Sequence, residues 1–381
     1  MTKKPVTAII LGAGHRAMAY ADYSVAHPDE LKIVGVADPD EYRRNFVRER
    51  FGFPENQCFA SAEELASVPK FADVVINGTM DEIHVETSIP VLEKGYDMLL
   101  EKPFAVNEEE LDRLIEVVNR NGNKVMICHV LRYNPVYLNI KNSIISGEIG
   151  DVINIQTVED VSYHHLSTSY VRGKWANSKK CHTSMLLAKC CHDLDLMMWL
   201  MGDDKPVSVS SVGSRFHFRP ENAPENSGTR CLVDCPRVDY CDYSAKRLYL
   251  DHPDSWEVYV WRDLEDIENP TDEQRREILM KSDYGRCMFK CDNDVVDHQS
   301  VLVNFASGAT GTHNLTGGAA ESLRTIRVIG TKGEIYAELE NKFVKIKTIN
   351  PDPNKYFDER IIDLSKTPDE GHGGADTALT A

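Results

Sequence analysis

The side chains most able to do chemistry stand at three places in this 381-residue sequence: Gly12-Ala13-Gly14-His15-Arg16-Ala17, the pair Glu101-Lys102 closed off by Pro103, and Lys189, His192 and Asp195 at three-residue spacing. The first fits G-x-G-x-x-G/A. Its first glycine makes a tight turn, its second lets backbone approach a pyrophosphate, and its third small residue lets a helix pack on a strand. Asp38, at the end of the next apolar run, can accept hydrogen bonds from an adenosine ribose. That carboxylate favours NAD, because it repels the 2′-phosphate of NADP; Arg43 and Arg44 could accommodate such a phosphate and leave NADP as the lesser alternative. An ammonium at Lys102 can orient a substrate hydroxyl and stabilise a developing alkoxide, while Glu101 steadies the lysine or a cofactor ribose. His192 shares one helix face with Lys189 and Asp195, and imidazole is the side chain best suited to take and return a hydroxyl proton near neutral pH.

Strands and helices must hold these residues in place. The runs "VTAIILGAG" and "LKIVGVADPD" read as strands, Ala17 to Ala26 as a helix, "DEYRRNFVRERFG" as a helix closed by Gly52, and "SAEELASV" as a helix capped by Ser61. The alternation continues through "ADVVING", "DEIHVETSIPVLEKG", "YDMLLEKP", "NEEELDRLIEVVNRNG" and "KVMICHV". It predicts a parallel sheet covered on both faces, with ligands at the carboxyl ends of its strands, where the glycines, Asp38, Glu101 and Lys102 fall. From about Gly150 the pattern turns β-rich, in "DVINIQTVEDV", "PVSVSSVGSRFHF", "DHQSVLVNFASGATGTHN", "RTIRVIGTKGEIYAELE" and "KFVKIKTI". An open, mainly antiparallel sheet follows, with one clear helix in "SMLLAKCCHDLDLMMWLMG". The predicted organisation is α/β: a Rossmann dinucleotide-binding domain over 1–130, then an α+β substrate-binding domain over 131–381 with a cysteine-bearing insertion at about 217–295.

The totals narrow the partners. Two domains suit the length, since single cores rarely grow past roughly 250–300 residues. A formal net charge of -17 with no basic run excludes nucleic acid and anionic lipid, and no apolar run is long enough to span a membrane. The opening "MTKKPVTAIILGAGHRA" runs into a glycine turn without a cleavage site, so cytoplasm is the expected address and a small molecule the expected ligand.

In order along the chain, "GAGHRA", "ADPD", "NGTMDEIHVE", "EKP", "VLRYNPVYLNIKNSIISGEIGDV", "YVRGKW", "AKCCHDLDL" and "GHGGAD" resemble the glucose-fructose oxidoreductase, inositol dehydrogenase and rhizopine-catabolism proteins (Gfo/Idh/MocA), over almost the whole length. The resemblance implies NAD at Gly12, Gly14, His15, Arg16, Asp38, Thr79, His84, Glu101 and Lys102, and catalysis by Lys102 and His192. It implies substrate contacts at His165, Arg172, Trp175 and His372, the last on a flexible glycine-rich turn with Asp376; His164 reads as packing or surface. Tyr and Trp suit the apolar face of a sugar, and Arg and His its hydroxyls. Inositol dehydrogenase-like members carry an aspartate four residues before the histidine; Ala188 stands there, so Lys189 or another carboxylate would have to tune the imidazole. Members of the family usually continue past the glycine-rich turn with more helix. Association of several copies through the second-domain sheet is expected.

The resemblance implies hydride transfer between a sugar, inositol or glycoside carbinol and nicotinamide. Two alternatives stay open: a redox-neutral glycoside hydrolase that oxidises C3 transiently, eliminates the aglycone and reduces again, and an NAD-binding sensor without turnover. Cys231, Cys235, Cys241, Cys287 and Cys291 could hold a structural metal, form a disulfide or stay unligated; the C-x-x-x-C spacing is not the usual knuckle. Cys190 and Cys191 read as core.

Overall fold

The computed structural model describes residues 4–252, 255–367 and 370–381. In it the chain forms two units, Met1–Tyr137 with Thr367–Ala381, and Leu138–Lys366. The first unit is built on a parallel sheet of β1 (Val6–Leu11), β2 (Leu31–Ala37), β3 (Cys58–Phe59), β4 (Val74–Asn77), β5 (Asp97–Leu100) and β6 (Val125–Ile127). The order β3-β2-β1-β4-β5-β6 reverses beside β1, which places the ligand-binding crevice at the carboxyl ends of β1 and β4. Strand alternation fills a core on each face: Ala8 and Ile10 pack with Ala17 and Tyr20, whereas Ile9 and Leu11 pack with Val75, Leu92 and Leu100.

Local chemistry sets the helix ends. The Asp40 side chain caps the helix Glu41–Phe51, that of Ser61 accepts from Glu64 N–H, and that of Asn107 from Glu110 N–H. Gly52 and Gly122 close two helices in the left-handed conformation. The single helix expected over Ala17–Ala26 is two, His15–Ala21 and Tyr23–Ala26, and the two-residue β3 carries too short a pattern to be read.

By compactness the first unit runs on to Tyr137 and takes in Thr367–Ala381 as well. Their glycine-rich segment is not a flexible turn but the start of a helix, Glu370–Thr380, whose backbone is left-handed at His372, Gly373 and Gly374. Ala375 and Leu379 enter the core beside Ala17 and Tyr20, and Asn134 Nδ2 donates to His372 O at 2.8 Å.

The second unit carries an eight-stranded sheet of β7 (Val152–Ser162), β8 (Pro206–Ser214), β9 (His298–Phe305), β10 (Thr310–Ala319), β11 (Leu323–Gly330), β12 (Gly333–Glu338), β13 (Phe343–Ile349) and β14 (Phe357–Asp363), in the order β14-β13-β12-β11-β7-β10-β9-β8. It is mixed: β7 and β10 pair in parallel, and every other pair is antiparallel. Alternate residues such as Val301, Val303, Leu315, Ile326, Val328 and Ile335 are buried on one face. The expected helix, Met185–Met201, is capped by Ser184 and ends at Gly202. Gly311 on β10 lets it approach, since a Cβ there would lie 2.2 Å from Met197 Sδ. The insertion is mostly short helical turns, with one ten-residue helix, Asp272–Lys281, that the sequence reading missed despite its Thr271–Gln274 capping box. Among the described residues no helix is long and apolar enough to cross a membrane.

Candidate cofactor and substrate sites

In the first unit the loops after β1, β2, β4 and β5 meet at the strand carboxyl ends. Gly12 has φ +77°, and a Cβ there would stand 2.8 Å from Thr79 N, so the turn needs glycine on two counts. A Cβ on Gly78 would lie 2.8 Å from that of Ala17, so this pair sets how closely the first helix approaches β4. The Asp38 carboxylate is 5% exposed and accepts from Ala13 N–H at 2.7 Å and Asp40 N–H at 2.8 Å, one bond on each oxygen. Each oxygen keeps a lone pair for a further donor such as a ribose hydroxyl. Arg44 lies beside Asp38, with Nη1 donating to the carbonyls of Asp38 and Pro39 at 2.6 and 3.0 Å.

Thr79 is fixed by Asn77, whose Oδ1 accepts from Thr79 N–H at 3.1 Å and Thr79 Oγ1 at 2.8 Å. His84 is buried and bridges two loops, Nδ1 lying 2.7 Å from Pro103 O and Nε2 3.0 Å from Thr79 O. His84 thereby braces the loop that carries Lys102. Exposed His15 opens the first helix.

Glu101 and Arg16 belong to a charge network that the sequence reading saw only in pieces. Arg16 Nε donates to Glu101 Oε1 at 2.8 Å, its Nη atoms grip Asp376 at 2.7 and 3.0 Å, and Tyr20 O–H donates to Glu101 Oε1 at 2.7 Å. Glu101 Oε2 accepts from the Lys102 N–H at 2.8 Å, fixing the backbone that carries the lysine. Burial works against the Glu101 charge, but Arg16, Lys102 and the Tyr20 hydroxyl outweigh it and hold its carboxyl below the ordinary range. Burial opposes the Asp376 charge too, and bonds from His372, whose Nδ1 is 3.2 Å away, and from Arg16 overcome it. The four-residue spacings Arg16/Tyr20 and His372/Asp376 were the available signals; nothing linked the two pairs.

In the second unit His192 lies buried on the helix Met185–Met201. One turn before it, Lys189 Nζ is 3.1 Å from Glu159, which in turn pairs with Arg324 at 2.5 Å, while Arg324 lies 3.1 Å from Asp193. Burial pushes the Glu159 carboxyl up in spite of the two cations. Above Lys189 stands a wall of rings: His165 stacks on Trp256 at 3.4 Å, Tyr170 on Trp175 at 5.9 Å, and Tyr259 meets Trp175 edge-on at 6.0 Å. Lys189 Nζ lies 5.5 Å from the Trp256 ring centre. Trp256 and Tyr259 come from the insertion and had no signal in the sequence. His164 is packing, its Nε2 2.8 Å from Leu248 O.

Arg172, expected at the substrate, is spent elsewhere: it is 4% exposed, and Nε and Nη2 donate to Arg286 O and Tyr243 O at 2.8 Å each. Cys190 is core, as expected. Its sulfur, a carboxylate oxygen of Asp193 and a ring nitrogen of His313 all lie within 4.8 Å of one another, but Arg324 beside Asp193 opposes a further cation there.

Residues 6–129 match the oxidoreductase family, NAD-binding Rossmann fold, and residues 141–377 match the C-terminal alpha/beta domain of that family. The chain belongs to the Gfo/Idh/MocA oxidoreductase family. It is 24% identical over 370 residues to YteT of Bacillus subtilis (strain 168), covering 91% of this chain and 81% of that protein. Inositol 2-dehydrogenase of Salmonella typhimurium (strain LT2) is 30% identical over 142 residues, 37% of this chain and 39% of that enzyme. A levoglucosan dehydrogenase solved with NADH superimposes with a TM-score of 0.68 at 17% identity, over 99% of this chain and 87% of that one, a likeness of fold. As a Gfo/Idh/MocA first domain, the unit's Gly12 turn and the spare lone pairs of Asp38 fit NAD on their own geometry.

Proposed function

We propose that this Gfo/Idh/MocA protein is an NAD-dependent dehydrogenase acting on a CH–OH carbon of a sugar, polyol or glycoside. The observation that carries the reading is the cluster of half-buried Trp175, Trp256 and Tyr259 rings, backed by buried His165 and Tyr170, beside Lys189 in a chain whose other unit is an NAD-binding Rossmann domain. Aromatic faces suit the apolar face of a pyranose or polyol, and the sugar and inositol dehydrogenases among the relatives support that substrate class.

NAD, when bound, supplies the acceptor for the hydride. Gly12 and Gly14 give its pyrophosphate a close backbone, with His15 and Arg16 opening the helix behind them, and Asp38 takes the ribose hydroxyls. Thr79 and His84 shape the loop beside it, and Glu101 holds Lys102. Lys102 orients the reacting hydroxyl, and His192 takes its proton. Trp175, Trp256 and Tyr259 face the sugar ring, with buried His165 stacked behind Trp256; His372, oriented by Asp376, is a further contact. Arg172 has no part in this set.

A panel of sugars, inositols and nitrophenyl glycosides with NAD+ tests the proposal. NADH should accumulate in proportion to substrate consumed. Release of aglycone without net NADH would replace it with redox-neutral hydrolysis, and NAD binding with no turnover on any member would replace it with a sensor. Self-association through the second unit's sheet belongs to the same reading: β8 is exposed along its length, with Val207, Val209 and Val212 at 64%, 68% and 75%. Light scattering that finds a monomer at micromolar concentration overturns that part.

A further inference from the structure

A set of buried charges lies beside the ring cluster, and only part of it serves to hold the helix Met185–Met201 on the sheet. Arg324 on β11 reaches Asp193, the residue directly after His192, at 3.1 Å and so pins the helix. Glu159 on β7 does something more. It meets Arg324 at 2.5 Å and Lys189 at 3.1 Å, and the Lys189 ammonium is the group through which the set reaches the rings, 5.5 Å from the centre of Trp256. The Glu159, Asp193 and Arg324 side chains are 3%, 3% and 6% exposed, whereas that of Lys189 is 15% exposed.

The charges of this set balance, Lys189 and Arg324 against Glu159 and Asp193. The Glu340 carboxylate accepts the Arg324 N–H at 2.6 Å, and Asp195 shares the helix face of Lys189 and His192, so the surroundings lean to the acidic side. The pairs with Arg324 and Lys189 oppose the burial that pushes the Glu159 carboxyl up. Exposed Lys174 also lies on the rings, 4.1 Å from the centre of Trp175, but water and salt screen its charge. An ammonium carries several N–H donors, and a sugar hydroxyl can accept from Lys189 while the Glu159 pair stays in place. A carboxylate or phosphate brought to the same point sheds its hydration to meet a cation that is already compensated, with the Glu159 charge beside it.

We propose that Glu159 sets the charge of the substrate: by compensating Lys189 it reserves the ring cluster for a neutral sugar or polyol, whose hydroxyl Lys189 holds, and turns away uronic acids and sugar phosphates. This assignment rests on the proposed function, in which the ring cluster receives the sugar. Lys189 is the substrate contact, and Glu159 is a positioning residue that acts through it. Selectivity of this kind comes as much from what is repelled as from what is held. Without the Glu159 charge the buried set keeps Lys189 and Arg324 against Asp193 alone, and the surplus positive charge favours an anion at the rings. One side chain that does not itself touch the sugar thus decides between neutral and anionic ligands.

The test compares glucose, galactose and mannose with the matching uronic acids and 6-phosphates, on the full chain saturated with NAD+. Binding is read from tryptophan fluorescence, since Trp175 and Trp256 stand in the cluster, and turnover from NADH. The neutral sugars should bind at least about tenfold more tightly than their anionic counterparts, since like charges brought together weaken a wrong ligand by that much or more. Glu159→Gln should shrink that preference by about fivefold or more while NAD affinity holds. Where the glutamine variant fails to fold, Lys189→Met takes its place and should weaken the neutral sugars about tenfold, the loss of a hydrogen bond from a charged donor. The proposal falls if the wild type binds uronic acids or phosphates as well as neutral sugars, or if no sugar changes the fluorescence. It falls equally if folded Glu159→Gln keeps the wild-type preference, or if Lys189→Met binds neutral sugars as the wild type does. Tight binding of neutral sugars without NADH overturns the dehydrogenase reading and leaves the charge preference standing.

Discussion

Replacing Asp376 by alanine probes the buried charge network that ties the first helix, the end of β5 and the C-terminal helix together. Asp376 grips Arg16 at 2.7 and 3.0 Å with its own side chain 6% exposed, whereas the Arg16 side chain is 24% exposed and keeps Glu101 at 2.8 Å. Deleting one partner of a fully buried pair costs about 3–5 kcal/mol. Arg16 is partly hydrated and retains a second carboxylate, which brings the cost down to about 2–3 kcal/mol for Asp376→Ala. Asp376→Asn keeps one acceptor oxygen and should cost roughly 1 kcal/mol.

The pH dependence follows from the sign of the shift. The folded-state carboxyl of Asp376 titrates well below its ordinary value, because the bonds from His372 and Arg16 outweigh the burial that opposes its charge. Its contribution is therefore complete above the unfolded value and is lost only as the pH falls through the folded one. The alanine variant's deficit should persist from pH 7 to about pH 5 and shrink below about pH 4. Urea unfolding of wild type and variant, following the transition that NAD+ shifts, measures it. A deficit under about 0.5 kcal/mol at pH 7, or one already gone at pH 5, would show that Arg16 does not depend on this partner.

Lys102→Ala should lower kcat by at least about 100-fold while NAD affinity stays within about tenfold, because the lysine acts on the hydroxyl in the transition state; an unchanged rate removes its role. Gly12→Ala should weaken NAD binding about tenfold or more in calorimetry, since left-handed backbone costs a residue with a Cβ about 1–2 kcal/mol before the clash with Thr79 is counted; undiminished heat of binding contradicts the account of the turn. Trp256→Ala should raise the KM for the sugar by roughly two- to tenfold with little change in kcat, from the loss of about 0.5–1.5 kcal/mol of ring contact; an unaltered KM takes Trp256 out of the substrate wall.

Much of the first unit could be read because its determinants are local. Ala8 and Ile10 against Ile9 and Leu11, Ser61 and Asn107 as caps, and Gly52 and Gly122 as stops are all decided within a few residues, and strand-helix alternation then leaves little choice of sheet. The Gly12 turn and Asp38 were legible for the same reason. The partnership of Arg16 with Asp376 was not, because it joins positions 360 residues apart and no spacing rule reaches that far. The same contact ties the C-terminal helix to the first unit, since the helix that supplies the partner of a half-buried cation packs beside it.

Arg172 shows the other limit. Its type, beside His165 and Trp175, suits sugar hydroxyls as well as any residue in the chain, yet two carbonyls 71 and 114 residues away claim its guanidinium. Residue type restricts what a side chain can do, and only the fold decides which capable partner it meets. The division has a functional consequence. The groups proposed to orient the hydroxyl and take its proton, Lys102 and His192, stand at the end of β5 and on a seventeen-residue helix, whereas Trp256 and Tyr259 stand in short turns of the insertion. Irregular segments tolerate substitution and length change far better than strands and helices do. On the proposed reading, changes in the insertion would alter the rings it adds beside Trp175, namely Trp256 and Tyr259, while the Gly12 turn and Asp38 of the first unit keep their own local determinants.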